Sequence, residues 1–384
     1  MSNAESQVAG SVGTAALPHA RSMAVQIWAF IGAVLLIFQF YVWFQWITGP
    51  YFTPVPTGVS DPPMYMKVFI SLNAAVLLCG FPFAVWHFWV KPWRRERKIT
   101  LDGMLMLALG LMVFQDPLLN YFNTWCTYNT WSWNMGAWTS HVPGWSTPEE
   151  PGRMVSEPLI NNFIGYGYGV LMTVMLGCWI MRKAKERWPG ISNLRLIGVA
   201  FLWSYAFDFV MEGLILLPFG FYAYPGAIQA WSLNAGTYYQ YPLYEGVMWG
   251  SVETAICSLR FFTDSRGRTV VERGLDHVQG GFVRQQLTRF LAIFAAVSAS
   301  FFFFYMAPVQ WFSMHADPWP EDVQKRSYFI GGICGEGTGK VCPHPLLPLA
   351  TKRSGHIDKE GRFILPEGAE MPKIVPFERS SEEK

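Results

Sequence analysis

Seven runs of mostly apolar residues, at roughly 23–48, 67–90, 100–116, 159–181, 195–217, 242–262 and 289–308, dominate this chain. A membrane-crossing helix needs about 20 such residues, because the bilayer offers backbone groups no other hydrogen-bond partner. The basic residues between the runs test the count. Sixteen Lys and Arg fall in the stretches 91–99, 182–195 and 260–289, against only Lys67 and Arg153 in the intervening loops. The alternation is unbroken, and losing or adding one span would destroy it. Basic loops stay on the cytoplasmic side. The expectation is an all-α polytopic membrane bundle of about seven transmembrane helices, with a cytoplasmic N-terminus and an extracytoplasmic C-terminus.

Three regions follow: a disordered tail over 1–22, a membrane domain over 23–308, and a loop-rich extracytoplasmic tail over 309–384. The 23–48 run is too long for a cleaved leader and reads as a retained span. Only 15% of residues are charged, well below the roughly 25% of soluble domains. No basic cluster suits a nucleic acid. The N-inside topology and the absence of a lysine in the last span count against a retinal-binding receptor. Cys79, Cys178 and Cys257 lie in apolar runs as packing residues. Cys334 and Cys342 are placed to close a short disulfide loop; a metal site with His344 has the wrong spacing for zinc.

Two outer loops, 117–158 and 218–241, are dense in aromatic residues. Rings alone would suit a membrane-interface belt. The first loop also interleaves Asn120, Asn129, Asn134 and His141 with Trp131 and Trp145, a mixture that suits a pocket wall. Tyr244 and Trp249 extend that set into the next apolar run. All eight are candidate substrate-binding residues.

Acids inside spans each cost about 2.5 kcal/mol or more, so they face the bundle interior and mark sites or pathways. Asp208 and Glu212 are four residues apart on one helix face. Glu245 and Glu253 lie in the following run, with Trp249 between them. Asp116 and Glu157 flank the first aromatic loop. Asp208, Glu212, Glu245, Asp116 and Glu157 are the candidate catalytic carboxyls; Glu253, the deepest, reads equally well as paired with Thr254 or a neighbouring serine. Carboxyls in unlike surroundings divide into proton donors and proton acceptors. Missing motifs narrow the chemistry. There are no histidine boxes for di-iron, no aspartate-rich motif for Mg-diphosphate, and no glycine-rich nucleotide loop. No cofactor and no metal are expected.

Five strings carry a resemblance: DPLLNYFNTWCTYNTWSWNMGAWTSHVPGW at 116–145, EPLI at 157–160, MRKAKERWPG at 181–190, FDFVMEGLILLPFGFYAYPGA at 207–227 and YPLYEGVMWG at 241–250. With them the chain, over about 65–345, resembles the avermectin-type spirocyclase (AveC-like) family of actinobacterial membrane proteins. The resemblance implies spiroketal formation from a lipophilic dihydroxy-ketone polyketide in secondary metabolism. Two hydroxyls close on one carbonyl carbon with loss of water, without a redox cofactor. Two alternatives stand beside it: a membrane terpenoid or sterol cyclase or isomerase, and a non-enzymatic carrier or accessory subunit. The sequence says nothing of oligomeric state.

Overall fold

In a computed structural model, residues 18–145, 155–331, 334–339, 342, 356–357 and 363–364 are described. Residues 1–17 of the expected N-terminal tail and most of 343–384 lie outside them; residues 18–22, expected to be disordered, instead form the start of the first helix, which begins at Pro18. The structure is mostly helical, and its strands are two-residue pairs.

Among the described residues, six helices are long and apolar enough to cross a membrane. They are α1 (Met23–Thr48), α2 (Met64–Glu96), α3 (Leu101–Asn120), α4 (Ile160–Arg187), α5 (Asn193–Leu216) and α7 (Phe282–Met314). These mark the chain as an integral membrane protein. Between the last two lies α6 (Leu243–Phe261), a 19-residue helix at the expected sixth span. It carries Glu245, Glu253 and Arg260 and is the least apolar of the seven. Its neighbours compensate, because α6 packs on α4, α5 and α7 and buries 11 of its residues. A helix shielded from lipid by other helices needs no continuous apolar surface. The last helix runs on to Met314, six residues past the expected boundary at 308.

Small residues set the approach of α5 to α6. A methyl group added at Gly250 would meet the Tyr205 backbone nitrogen at 3.2 Å. One at Gly246 would meet the Tyr241 hydroxyl at 2.3 Å and Asp208 Oδ2 at 3.1 Å. This small-xxx-small pair lets the two backbones close up, as in membrane helix pairs generally, and it brings Asp208 beside Glu245.

The loops gather at two ends. At one, Asn134 Oδ1 accepts from the Val55 amide at 2.9 Å, and the 127–128 strand pairs with 222–223. The described part of the C-terminal tail lies over that pair: the Thr130 amide donates to the Tyr328 carbonyl at 2.8 Å, and the Thr127 hydroxyl donates to the Phe329 carbonyl. The Ser60 and Ser327 hydroxyls meet at 2.8 Å. Cys334 and Cys342 form a disulfide, with Cα atoms 5.3 Å apart. Beneath this cap Trp138 is fully buried among Trp43, Trp46 and Phe114, and its indole donates to the Phe114 carbonyl at 2.8 Å. At the other end Arg260 grips Asp102 through two bonds of 2.7 and 2.9 Å, and Arg289 pairs with Glu272.

Candidate functional site

Among the described residues four helices leave regular α geometry for wider π-type turns, α2 at Trp86–Val90 and three others that meet at one site. In those three the wide turns run over Ile160–Gly169 in α4, Phe209–Leu216 in α5 and Phe302–Met306 in α7. Such turns strain the backbone ladder and are frequent at functional sites. All three contribute to one cavity of about 320 Å³, which also takes residues from α2, α3, α6 and the capping loops.

One wall is organised by Asp116 at the end of α3. Its Oδ2 accepts from the Tyr128 hydroxyl at 2.5 Å and the Asn162 amide at 3.3 Å, and its Oδ1 accepts from the Tyr166 hydroxyl at 2.8 Å. Asn162 also donates to Glu157, a fully buried carboxyl behind the wall whose second oxygen has no partner. Burial, and then the nearby Asp116 charge, push Glu157 well above the usual carboxylate range, so it holds its proton where an exposed glutamate would not.

The second wall carries three carboxyls. Asp208 Oδ2 accepts from the Tyr241 hydroxyl, and Glu212 Oε2 from the Tyr224 hydroxyl, both at 2.8 Å. Glu245 sits beside Asp208 and Glu212, and among the described residues no well-formed hydrogen bond reaches either of its oxygens. Each of the three offers an oxygen within 4.8 Å of the others. An oxygen-only set of this size matches the preferences of hard cations such as Mg²⁺; it equally suits shared protons. Glu253 lies deeper, with Oε1 accepting from Thr173 at 2.7 Å. In the roof, burial and then neighbouring carboxylates raise the Tyr222 and Tyr224 hydroxyls well above their ordinary range, which keeps both as donors.

Four of the five expected carboxyls, Asp116, Asp208, Glu212 and Glu245, therefore line the cavity; Glu157 backs it through Asn162. Of the expected binding residues, Trp249 alone lies on it. The others are placed elsewhere, with visible reasons. Asn120 accepts from the Cys126 amide at 3.0 Å, Asn129 donates to the Gly220 carbonyl at 2.9 Å, and Asn134 bonds four backbone positions around it. These amides satisfy a buried loop's own backbone, which water cannot reach. Tyr244 stacks on Phe312 at 4.1 Å and accepts from the Ile228 amide. Trp131 is half exposed under Lys67, His141 lies beside Tyr51, and Trp145 packs edge-on to Tyr121.

The sequence reading missed Tyr128, Asn162, Tyr166, Tyr222, Tyr224 and Tyr305, all on the cavity. The Asn161–Asn162 pair at the head of an apolar run was the available signal, since amides in a span need partners.

The comparisons with known proteins bear on this arrangement. The family described as "Spirocyclase AveC-like" matches residues 96–329, which run from the end of α2 to the tail segment over the roof. The chain belongs to the AveC-like spirocyclase family. No curated protein and no solved structure matches it.

Proposed function

We propose that the protein is a membrane-embedded cyclase that forms spiroketals from dihydroxy-ketone, polyketide-like substrates by carboxyl acid–base chemistry. What carries the reading is the pairing of two carboxyl walls, Asp116 with Glu157 and Asp208–Glu212–Glu245, across one largely apolar cavity, with neutral donors holding the oriented oxygens. A protonated carboxyl on one wall gives its proton to the hydroxyl of a bound hemiketal, and that oxygen leaves as water. The oxocarbenium ion left behind is stabilised by an ionised carboxylate and by the faces of Trp249 and the surrounding tyrosines. The second substrate hydroxyl attacks the cationic carbon and passes its proton to the carboxylate. Glycosidases flank a similar cation with two carboxyls, a likeness of chemistry and not of fold. In this reading the protein sits in the bacterial plasma membrane with its basic loops cytoplasmic.

The test uses purified protein in lipid nanodiscs, a panel of long-chain dihydroxy-ketones and polyprenyl compounds, and mass spectrometry. A product one water lighter, lost by about 10²–10⁴-fold in Asp208→Asn/Glu212→Gln, is the expected outcome. A product of unchanged mass would mark an isomerase, and a ligand bound but unaltered would mark a carrier. Full turnover by the double variant would remove these acids from the mechanism. Loss of activity on chelation, restored by Mg²⁺, would give the triad a cation in place of shared protons.

A further inference from the structure

The cavity is closed where water would reach it and open where lipid would. Its roof residues Cys126, Tyr128, Phe221, Tyr222 and Tyr224 are each at least nine-tenths buried. Above them Tyr328 and Phe329 are themselves buried, and the tail is bonded to Thr127, Thr130 and Ser60. Partly exposed lining lies elsewhere, and includes Asn73 and Leu77 of α2, Gly165 and Gly169 of α4, and Met211 and Leu216 of α5. These flank a gap on the sides of the bundle, at the level of the apolar spans. α2 packs on the wide turns of α4 rather than on α5, which leaves the gap between α2 and α5. Phe69 stacked on Phe219 at 4.8 Å, with Tyr65 bonded to Tyr238 at 3.0 Å, bridges it on the capped side like a lintel. One polar feature stands at the opening: Asn161 donates to Asn73, and both amides line the cavity. Amides facing lipid are costly unless something polar uses them.

Charge restricts what passes. Among the described residues no Lys, Arg or His lines the cavity, while Asp116, Asp208, Glu212, Glu245 and Glu253 do. A phosphate or carboxylate brought among them would give up its hydration and, among the described residues, find no cation in the lining to pair with.

We propose that the site takes an uncharged amphiphile dissolved in the bilayer, which slides in sideways between α2 and α5 beneath Phe69–Phe219 and over the Asn73–Asn161 pair. This rests on the cyclase reading for the substrate's hydroxyls and ketone. It adds the route and excludes anionic forms. The reaction that supplies the substrate must therefore already have cut it from any phosphate-bearing or thioester-linked carrier, leaving no free acid.

The experiment is photolabelling in nanodiscs with three diazirine probes of equal chain length: a neutral dihydroxy-ketone, its terminal carboxylate and its terminal phosphate. The neutral probe is expected to label at least tenfold more than either anion. Leu77→Trp and Met211→Trp, which narrow the gap, should cut labelling at least fivefold. Phe83→Trp, on the open face of α2, should not. Ser60→Cys/Ser327→Cys, which clamps the tail over the roof, should leave labelling unchanged. Equal labelling by the anions overturns the charge restriction. Labelling blocked by the clamp but not by the tryptophans overturns the sideways route. Labelling needs no turnover, so a labelled but inactive protein tells against the cyclase reading alone, whereas turnover with insensitive labelling tells against the route alone.

Discussion

Two groups of carboxylates in this molecule are wholly or partly buried for opposite ends. At the basic end, Asp102 and Glu272 are paired with Arg260 and Arg289. Glu272 also closes a capping box by accepting from the Thr269 amide at 2.8 Å. At the cavity, Asp116, Asp208 and Glu212 accept from hydroxyls and an amide, Glu245 sits beside Asp208 and Glu212, and among the described residues no Lys or Arg pairs with any of them. An arginine partner fixes the ionised form, because a guanidinium does not give up its proton. A tyrosine or asparagine partner fixes position while leaving the protonation state free to change. The first group holds helices together; the second is equipped to exchange protons.

Three experiments sharpen or break this contrast. The largest stability effect is expected from Glu272→Gln, which leaves Arg289 without its counter-charge. A loss of about 3 kcal/mol is expected, read as a lower melting temperature, with turnover per folded molecule unchanged. A loss of turnover alone would put the basic end into the mechanism. Tyr166→Phe removes one donor from Asp116 and should lower turnover by roughly 10–100-fold, since carboxyl positioning and proton transfer both suffer. Its stability cost should be only about 1 kcal/mol, and a pH–rate profile shifted from that of the wild type would separate a proton-transfer role from packing. The smallest effect concerns pH. Folding raises Glu157 above its ordinary 4.5, so the folded chain holds this proton more tightly than the unfolded one. The stability it contributes is complete below 4.5 and falls away as pH climbs towards the raised value. Glu157→Gln should flatten the decline in melting temperature as the pH rises above 4.5. An unchanged slope would show that Glu157 does not titrate there.

The sequence disclosed the costly features and concealed the cheap ones. Acids within apolar runs are expensive, so Asp208, Glu212 and Glu245 stood out, and their four-residue and next-helix spacing already suggested one wall. Their partners did not stand out. Tyr241 reaches Asp208 across 33 positions and Tyr128 reaches Asp116 across 12, and a tyrosine near a membrane interface has an ordinary explanation of its own. The loop amides misled for a related reason. Asn120, Asn129 and Asn134 read as pocket groups because they are dense and polar, yet a loop this deeply buried consumes its amides on its own backbone. The wide turns in α4, α5 and α7 have no residue signature comparable to a proline kink, so they were visible only in the structure.

The roof carries a consequence for how the protein is made. Thr127 is held by Phe329, 202 positions later in the chain, so the layer over the roof is laid down only after all the helices beneath it have been made. A chain cut before Tyr328 would keep every cavity acid and the roof residues at 126–128 and 221–224, yet lose the layer bonded above them at Thr127 and Thr130.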